Sequence, residues 1–207
     1  MCFISEIKLA IKGKLPGISA QQKMAPSIRN IEALLNKSKP PLRNSAVLIL
    51  LFFDKEWKVV LTKRHEYIGP HSNQVSFPGG KQEPTDKNLV ETAIRETFEE
   101  IGIKSENVEV LGLLSPLFIP VSNNMVQPVV GFYKEKPVFI PSEFEVKEII
   151  EVGIQHLTNH KTRKTETIKI EDRTIDAPYF EIGNHHVWGA TAMILSEFCE
   201  LVNSINQ

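Results

Sequence analysis

The run AVLILLFF, Ala46 to Phe53, constrains the fold more than any other part of the sequence. Unbroken apolarity over this length leaves no side to face water, so it reads as a strand buried on both faces. It is far too short to span a bilayer. Further strands are expected over 57–63 (WKVVLTK), 74–77, near 107–114 and over 127–133. TETIKI and PYFEI read as a hairpin separated by EDRTIDA, and EVKEIIEVGIQHL mixes a short helix or strand with a loop. Helical periodicity appears over 3–13, over 27–37 and over 189–203, where Ala190, Met193, Ile194, Phe198 and Leu201 share a side. Strands and helices alternate without a regular βαβ rhythm. The expected class is therefore α+β, or an α/β sandwich on a mixed sheet.

The chemistry concentrates in RETFEEIG, residues 95–102. On a helix over 87–101 that ends at Gly102, Glu96, Glu99 and Glu100 stand at i, i+3 and i+4, on one face. Like charges so close repel. With Glu96 at zero on a helical wheel, Val90, Ile94, Phe98 and Ile101 fall opposite, which predicts an apolar stripe fixed to the core and Phe98 buried. Asp86 or Thr85 is placed to cap the helix start. Rigidly placed carboxylates suit a hard divalent cation such as Mg²⁺. An acidic helix face is also ordinary solvated surface, so the glutamates alone do not decide between the two.

The surrounding pattern decides. GGKQEPTDKNLVETAIRETFEEIGI, Gly79 to Ile103, resembles the Nudix box, with Gly80, Arg95, Glu96, Glu99, Glu100, Gly102 and Ile103 at the matching positions. The segment is one residue longer than the usual box. In this it is similar to the coenzyme A pyrophosphatase branch, whose GGxxDxxDxxxxxTAxRE variant Glu83, Asp86, Thr92, Ala93, Arg95 and Glu96 fit. Either Glu83 or Asp86 is then the acid that pairs with Arg95. Upstream, VLTKRHEYIGPHSNQVSFPGG also resembles that branch, except that Gly69 stands where an arginine is common and Asn73 where a glycine is usual. Downstream, IPVSNNMVQPVVGF and WGATAMIL extend the likeness to roughly residue 200, leaving the first 35 or so outside it.

The resemblance implies a Nudix-type α/β/α sandwich, with an N-terminal helical extension over 1–39 and the hydrolase domain over 40–207. It implies hydrolysis of the diphosphate linkage of coenzyme A or a derivative, giving 3′,5′-ADP and 4′-phosphopantetheine or its acyl form. Two alternatives stand: ADP-ribose or another dinucleotide as substrate, or an inactive Nudix-fold binding module. Glu96, Glu99 and Glu100, with the Gly80 backbone, would hold Mg²⁺ or Mn²⁺, and Arg95 would orient a box carboxylate. Lys63, Arg64, His71 and Gly79 are the substrate-binding candidates, with the three cationic or protonatable groups meeting the 3′-phosphate. Glu143 or Glu145, or a box glutamate, is the general base.

With 24 Lys plus Arg against 25 Asp plus Glu, the net charge is −1, so no global field draws the chain to nucleic acid. The two cysteines, Cys2 and Cys199, lie at opposite ends and give no disulfide scaffold. Cys199 reads as a small buried hydrophobe. Glu6 and Lys8 interrupt the N-terminal apolar stretch, which therefore fails as a signal peptide. The expectation is a cytoplasmic enzyme with no membrane partner, and the family's habit of dimerising makes a homodimer a candidate. His185 and His186 read as cap or surface residues without the partners of a zinc site.

Overall fold

A computed structural model describes residues 2–27, 43–66, 73–170 and 173–205. The helix expected over 27–37 lies outside these residues but for Ser27, and so do Gly69 and His71.

The apolar run is the hub. Strand β1 (Arg43–Asp54) pairs antiparallel with β2 (Glu56–Arg64) on one side and parallel with β7 (Asn124–Tyr133) on the other. β3 (Val75–Ser76) and β8 (Val146–Gly153) both join β2, and β5 (Val108–Leu113) and β6 (Leu117–Ile119) both join β7. The short β4 (Gly79–Lys81) pairs with β1, Ala46 opposite Gly80 and Val47 opposite Gly79. The result is a mixed sheet with one parallel pair of long strands at its centre.

The pleat of β1 divides the core in two. Ala46, Leu48, Leu50 and Phe52 pack with Val60, Val129, Ala93, Ile101 and Ile103, beneath α3 (Leu89–Ile101). Ile49 and Leu51 pack on the other side with α5 (Gly189–Ile205), whose Met193, Ile194, Phe198 and Leu201 are buried. Buried helices on both faces are why the run shows no alternation. α4 (Ile154–Thr158) and a second sheet of β9 (Arg163–Ile170), β10 (Arg173–Ile182) and β11 (His185–Trp188) complete the α5 side. β10 begins at Arg173, so most of the EDRTIDA segment read as a loop is strand, with Ile175 and Ala177 buried. His185 and His186 stand on β11, just before α5, and pair with Glu148 (3.2 Å) and Glu166 (2.9 Å). Cys199 is fully buried, and burial pushes its thiol up to about 12.

The N-terminal α1 (Phe3–Lys12) and α2 (Gly17–Gln22) add Ile4, Ile7 and Met24 to the α5-side core. They are fastened by a fully buried carboxylate on α5. Glu197 accepts from the backbone N–H of Gly17 (3.2 Å) and of Ser115 (3.1 Å) and from Gln21 Nε2 (2.7 Å). Gln21, also fully buried, donates to the Ser115 carbonyl as well (3.0 Å).

Helix α3 is turned differently from the sequence expectation. Its buried residues are Thr92, Ala93, Thr97, Glu100 and Ile101, while Phe98 is 52% exposed. Small side chains let the helix lie close over β1 and β4, and one of the acids faces inward with them. The bulky Phe98 is left on the outer side, lining a shallow cleft with Ile94, Glu91 and Lys104. Phe98→Ala is accordingly expected to change unfolding free energy by less than about 0.5 kcal/mol, checked by urea titration; a loss near that of a core phenylalanine would mean the helix packs on its other face.

Candidate functional site

The site forms where α3 crosses the end of β1, and glycines set its depth. Gly79 has φ +152°, and a Cβ there would run into the Ala46 carbonyl and Val47. A Cβ on Gly80 would collide with the Glu96 carboxylate. These two positions let the backbone of β4 approach both the sheet and the acids. Asn88 caps the helix through its side chain, accepting from Val90 and Glu91 N–H (3.0 Å each), so neither Asp86 nor Thr85 is the cap. The helix closes at Gly102 in the left-handed conformation (φ 74°), as the sequence predicts.

Asp86, freed from capping, is the acid that pairs with Arg95. Arg95 Nε and Nη2 donate to its two oxygens at 2.9 and 3.0 Å, a bidentate clasp. Thr92 Oγ1 and the Glu83 N–H donate to the same carboxylate, and Arg95 beside it holds its pKa well below the usual range. Arg95 Nη2 also reaches the Lys81 carbonyl (3.0 Å) and Glu96 Oε1 (3.1 Å), and Nη1 reaches Glu99 (2.9 Å). One guanidinium thus ties the glycine strand, the loop before the helix and two of the three glutamates together.

The glutamates differ sharply in environment. Glu99 is half exposed, with its side chain 50% accessible. Glu96 is more enclosed, and desolvation raises its pKa. Glu100 is 2% exposed; its Oε2 accepts from the Gly79 N–H (3.3 Å) and its Oε1 from Arg64 Nη2 (3.1 Å). Burial pushes its carboxyl up to about 7, against the opposing pull of Arg64 and Gly79.

The structure therefore brings Arg64 and Gly79 into the acid cluster. Lys63 stands opposite Glu148 in the backbone register of β2 with β8. Glu145 lies near enough for its charge to add to the desolvation that raises the pKa of both Glu96 and Glu100. The turn that carries Glu145 is pinned to the end of α3: Ile140 N–H donates to the Ile101 carbonyl (2.9 Å) and Ser142 N–H to that of Glu100 (2.8 Å). The pairing of Arg64 with Glu100 was not foreseen in the sequence. The available signal was strand parity, since Arg64 shares a face of β2 with Val60, which packs in the core beneath α3.

The donor set is hard oxygen throughout, and a buried carboxylate at Glu100 calls for a positive partner, so these residues fit a divalent cation. As placed, no three His, Cys, Asp or Glu side chains among the described residues converge as a metal site. Each glutamate is held by a guanidinium instead. Gly80→Ala is expected to fold but to displace the Glu96 carboxylate and lower metal-dependent turnover by about 100-fold. Matching melting curves with the lost rate would establish this, and undiminished turnover would show that Glu96 is not needed where it stands.

Residues 42–168 match the sequence profile described as the NUDIX domain. The chain is 37% identical over 158 residues to a Nudix hydrolase NudL of Pectobacterium atrosepticum, itself described as uncharacterized, covering 75% of this chain and 80% of that one. A protein of the same description from Yersinia pestis is 32% identical over 163 residues, covering 78% and 80%. Among solved structures, a MutT protein of Methanosarcina mazei aligns with a TM-score of 0.52 at 18% identity, over 81% of this chain and 99% of that one. A MutT/nudix family protein of Enterococcus faecalis aligns with a TM-score of 0.51 at 20% identity, over 86% and 71%. At these identities the structural likeness speaks for the fold, a mixed-sheet α/β sandwich.

Proposed function

The chain belongs to the NUDIX domain family and is a Nudix hydrolase, and from that premise we propose that it cleaves the diphosphate linkage of coenzyme A or a derivative with the help of Mg²⁺ or Mn²⁺. One observation carries the reading. Arg64, from the VLTKR segment that resembles the coenzyme A-type enzymes, lies 3.1 Å from Glu100 of the box. The segment that would read the substrate and the helix that would hold the metal therefore share one site.

Glu96, Glu99 and Glu100, with the Gly80 carbonyl, are the proposed metal ligands. A divalent ion held there would neutralise diphosphate oxygens and lower the pKa of a bound water. Arg95, anchored on Asp86, fixes the side chains of Glu96 and Glu99 and is a positioning residue. Glu145 is the proposed general base in preference to Glu143, because its carboxylate is electrostatically coupled to Glu96 and Glu100; it would take a proton from the attacking water. Gly79, Arg64, Lys63 and His71 are the proposed substrate contacts, the last lying outside the described residues. The products would be 3′,5′-ADP and 4′-phosphopantetheine or its acyl form. No helix among the described residues is long and apolar enough to cross a membrane; a cytoplasmic location is part of the proposal. A homodimer remains part of the proposal.

The test is a substrate panel of coenzyme A, dephospho-coenzyme A, ADP-ribose and NADH, each with Mg²⁺ and with Mn²⁺. Release of 3′,5′-ADP from coenzyme A at the highest kcat/KM is the expected result. A preference for ADP-ribose or NADH would move the substrate to the second reading. Failure to cleave any member would favour a binding module.

A further inference from the structure

The two arginines that hold the box glutamates are not equivalent. Arg95 is anchored at several points, by both oxygens of Asp86, by the Lys81 carbonyl, and by Glu96 and Glu99. Arg64 has a single acid partner among the described residues, Glu100, through one hydrogen bond of 3.1 Å from Nη2 to Oε1. Its side chain is 32% exposed against 2% for that of Glu100, so the guanidinium stands at the mouth of the site and the carboxylate beneath it. The backbone aims it there: Val60, Thr62 and Arg64 share one face of β2, and the pairing with β8 slips between Lys63 and Arg64, where Lys147 is the extra residue.

A carboxylate as buried as Glu100 needs a counter-charge. In the protein without metal, Arg64 supplies it. A divalent cation on the same carboxylate would put two positive centres against each other, and the weakly tethered, partly exposed guanidinium is the one able to move. A diphosphate brought to the metal would in turn offer oxygens to the displaced fork. Resting on the functional reading above, we propose that Arg64 is a resident counter-cation for Glu100 that the metal displaces and the substrate diphosphate recaptures, so that metal and substrate bind with positive cooperativity. By linkage, each tightens the other by the same factor. Arg64 is thus a positioning residue before the substrate arrives and a substrate contact afterwards.

Mn²⁺ binding can be followed by the paramagnetic resonance signal of the free ion, with and without α,β-methylene-ADP as a diphosphate probe that is not cleaved. In Arg64→Gln, Mn²⁺ should bind the probe-free protein at least about fivefold more tightly than in the wild type, and the probe should lose most of its power to tighten it further. Arg64→Lys should return the probe-free affinity to within about twofold of wild type, since it restores the competing charge. Arg64→Met keeps the stem over the sheet and takes the place of Arg64→Gln should that variant misfold. A neutral variant that binds Mn²⁺ as weakly as the wild type or more weakly overturns the proposal, because an arginine that only braces Glu100 would loosen a ligand when removed. A lysine variant as tight as the neutral one overturns charge as the cause. If the wild type binds no Mn²⁺ at millimolar concentration, both this proposal and the functional reading fall. If it binds Mn²⁺ and cleaves a panel compound while Arg64→Gln gains nothing, only the role of Arg64 falls.

Discussion

Glu100→Gln is expected to lower metal-dependent turnover by about three orders of magnitude, the scale of removing one electrostatic element that stabilises the reacting charge, and at the same time to make the metal-free protein more stable at neutral pH. The second effect follows from burial. The Glu100 carboxyl is pushed up from 4.5 to about 7 in the folded chain, so the folded state keeps a proton that the unfolded chain has released. Stability then falls as pH rises from about 4.5 to about 7, because the unfolded state binds fewer protons across that window. At 1.36 kcal/mol per pH unit, the wild type should lose about 3 kcal/mol relative to Glu100→Gln between those limits. Urea titrations in a chelator, at several pH values, would show the gap opening with pH. Added Mg²⁺ or Mn²⁺ should stabilise the wild type and leave the variant nearly unmoved. A gap independent of pH would mean that Glu100 ionises freely and that the site is wetter than its 2% exposure implies.

The largest loss of stability is expected from a residue remote from the chemistry. Glu197→Ala leaves the partly buried N–H groups of Gly17 and Ser115 and the fully buried amide of Gln21 without their acceptor. Orphaned buried donors and the lost volume together should cost about 3–5 kcal/mol. Glu197→Gln keeps the volume and one carbonyl acceptor and should cost less. The readout is the urea midpoint of each variant, joined to proteolysis of residues 2–27, which should become the first segment cut in the alanine variant. A loss within about 1 kcal/mol would show that the N-terminal helices are held by their apolar contacts alone.

These two glutamates also mark what could be read in advance. β1, the end of α3 at Gly102, and the apolar side of α5 were legible, because unbroken apolar runs, a glycine stop and helical periodicity each have one physical meaning. The facing of α3 was not. The wheel assumed that acids face water and bulky apolar residues face the core, whereas Ala93 and Thr97 face the sheet and Phe98 faces out. A helix lying close over a sheet at a functional site is selected for small residues and for the inward acid, a choice that hydrophobicity does not encode. Likewise, Gly79 and Gly80 form a strand that consecutive glycines do not announce, because their pairing with β1 uses only backbone. Nothing in the sequence singles out Glu197 amid an apolar helix; its three donors come from segments that the sequence does not show to be neighbours.

The bonds from Ile140 and Ser142 to the last carbonyls of α3 mean that the distance from the box to Glu145 is set by docking and not by chain length. The stretch between β7 and that docking point, with Lys134, Glu135 and Lys136 all exposed, is therefore free to lengthen. Between Glu135 and Lys136 a peptide tag or a small reporter domain could be spliced without moving Glu145, which makes this bend a natural port for engineering the enzyme.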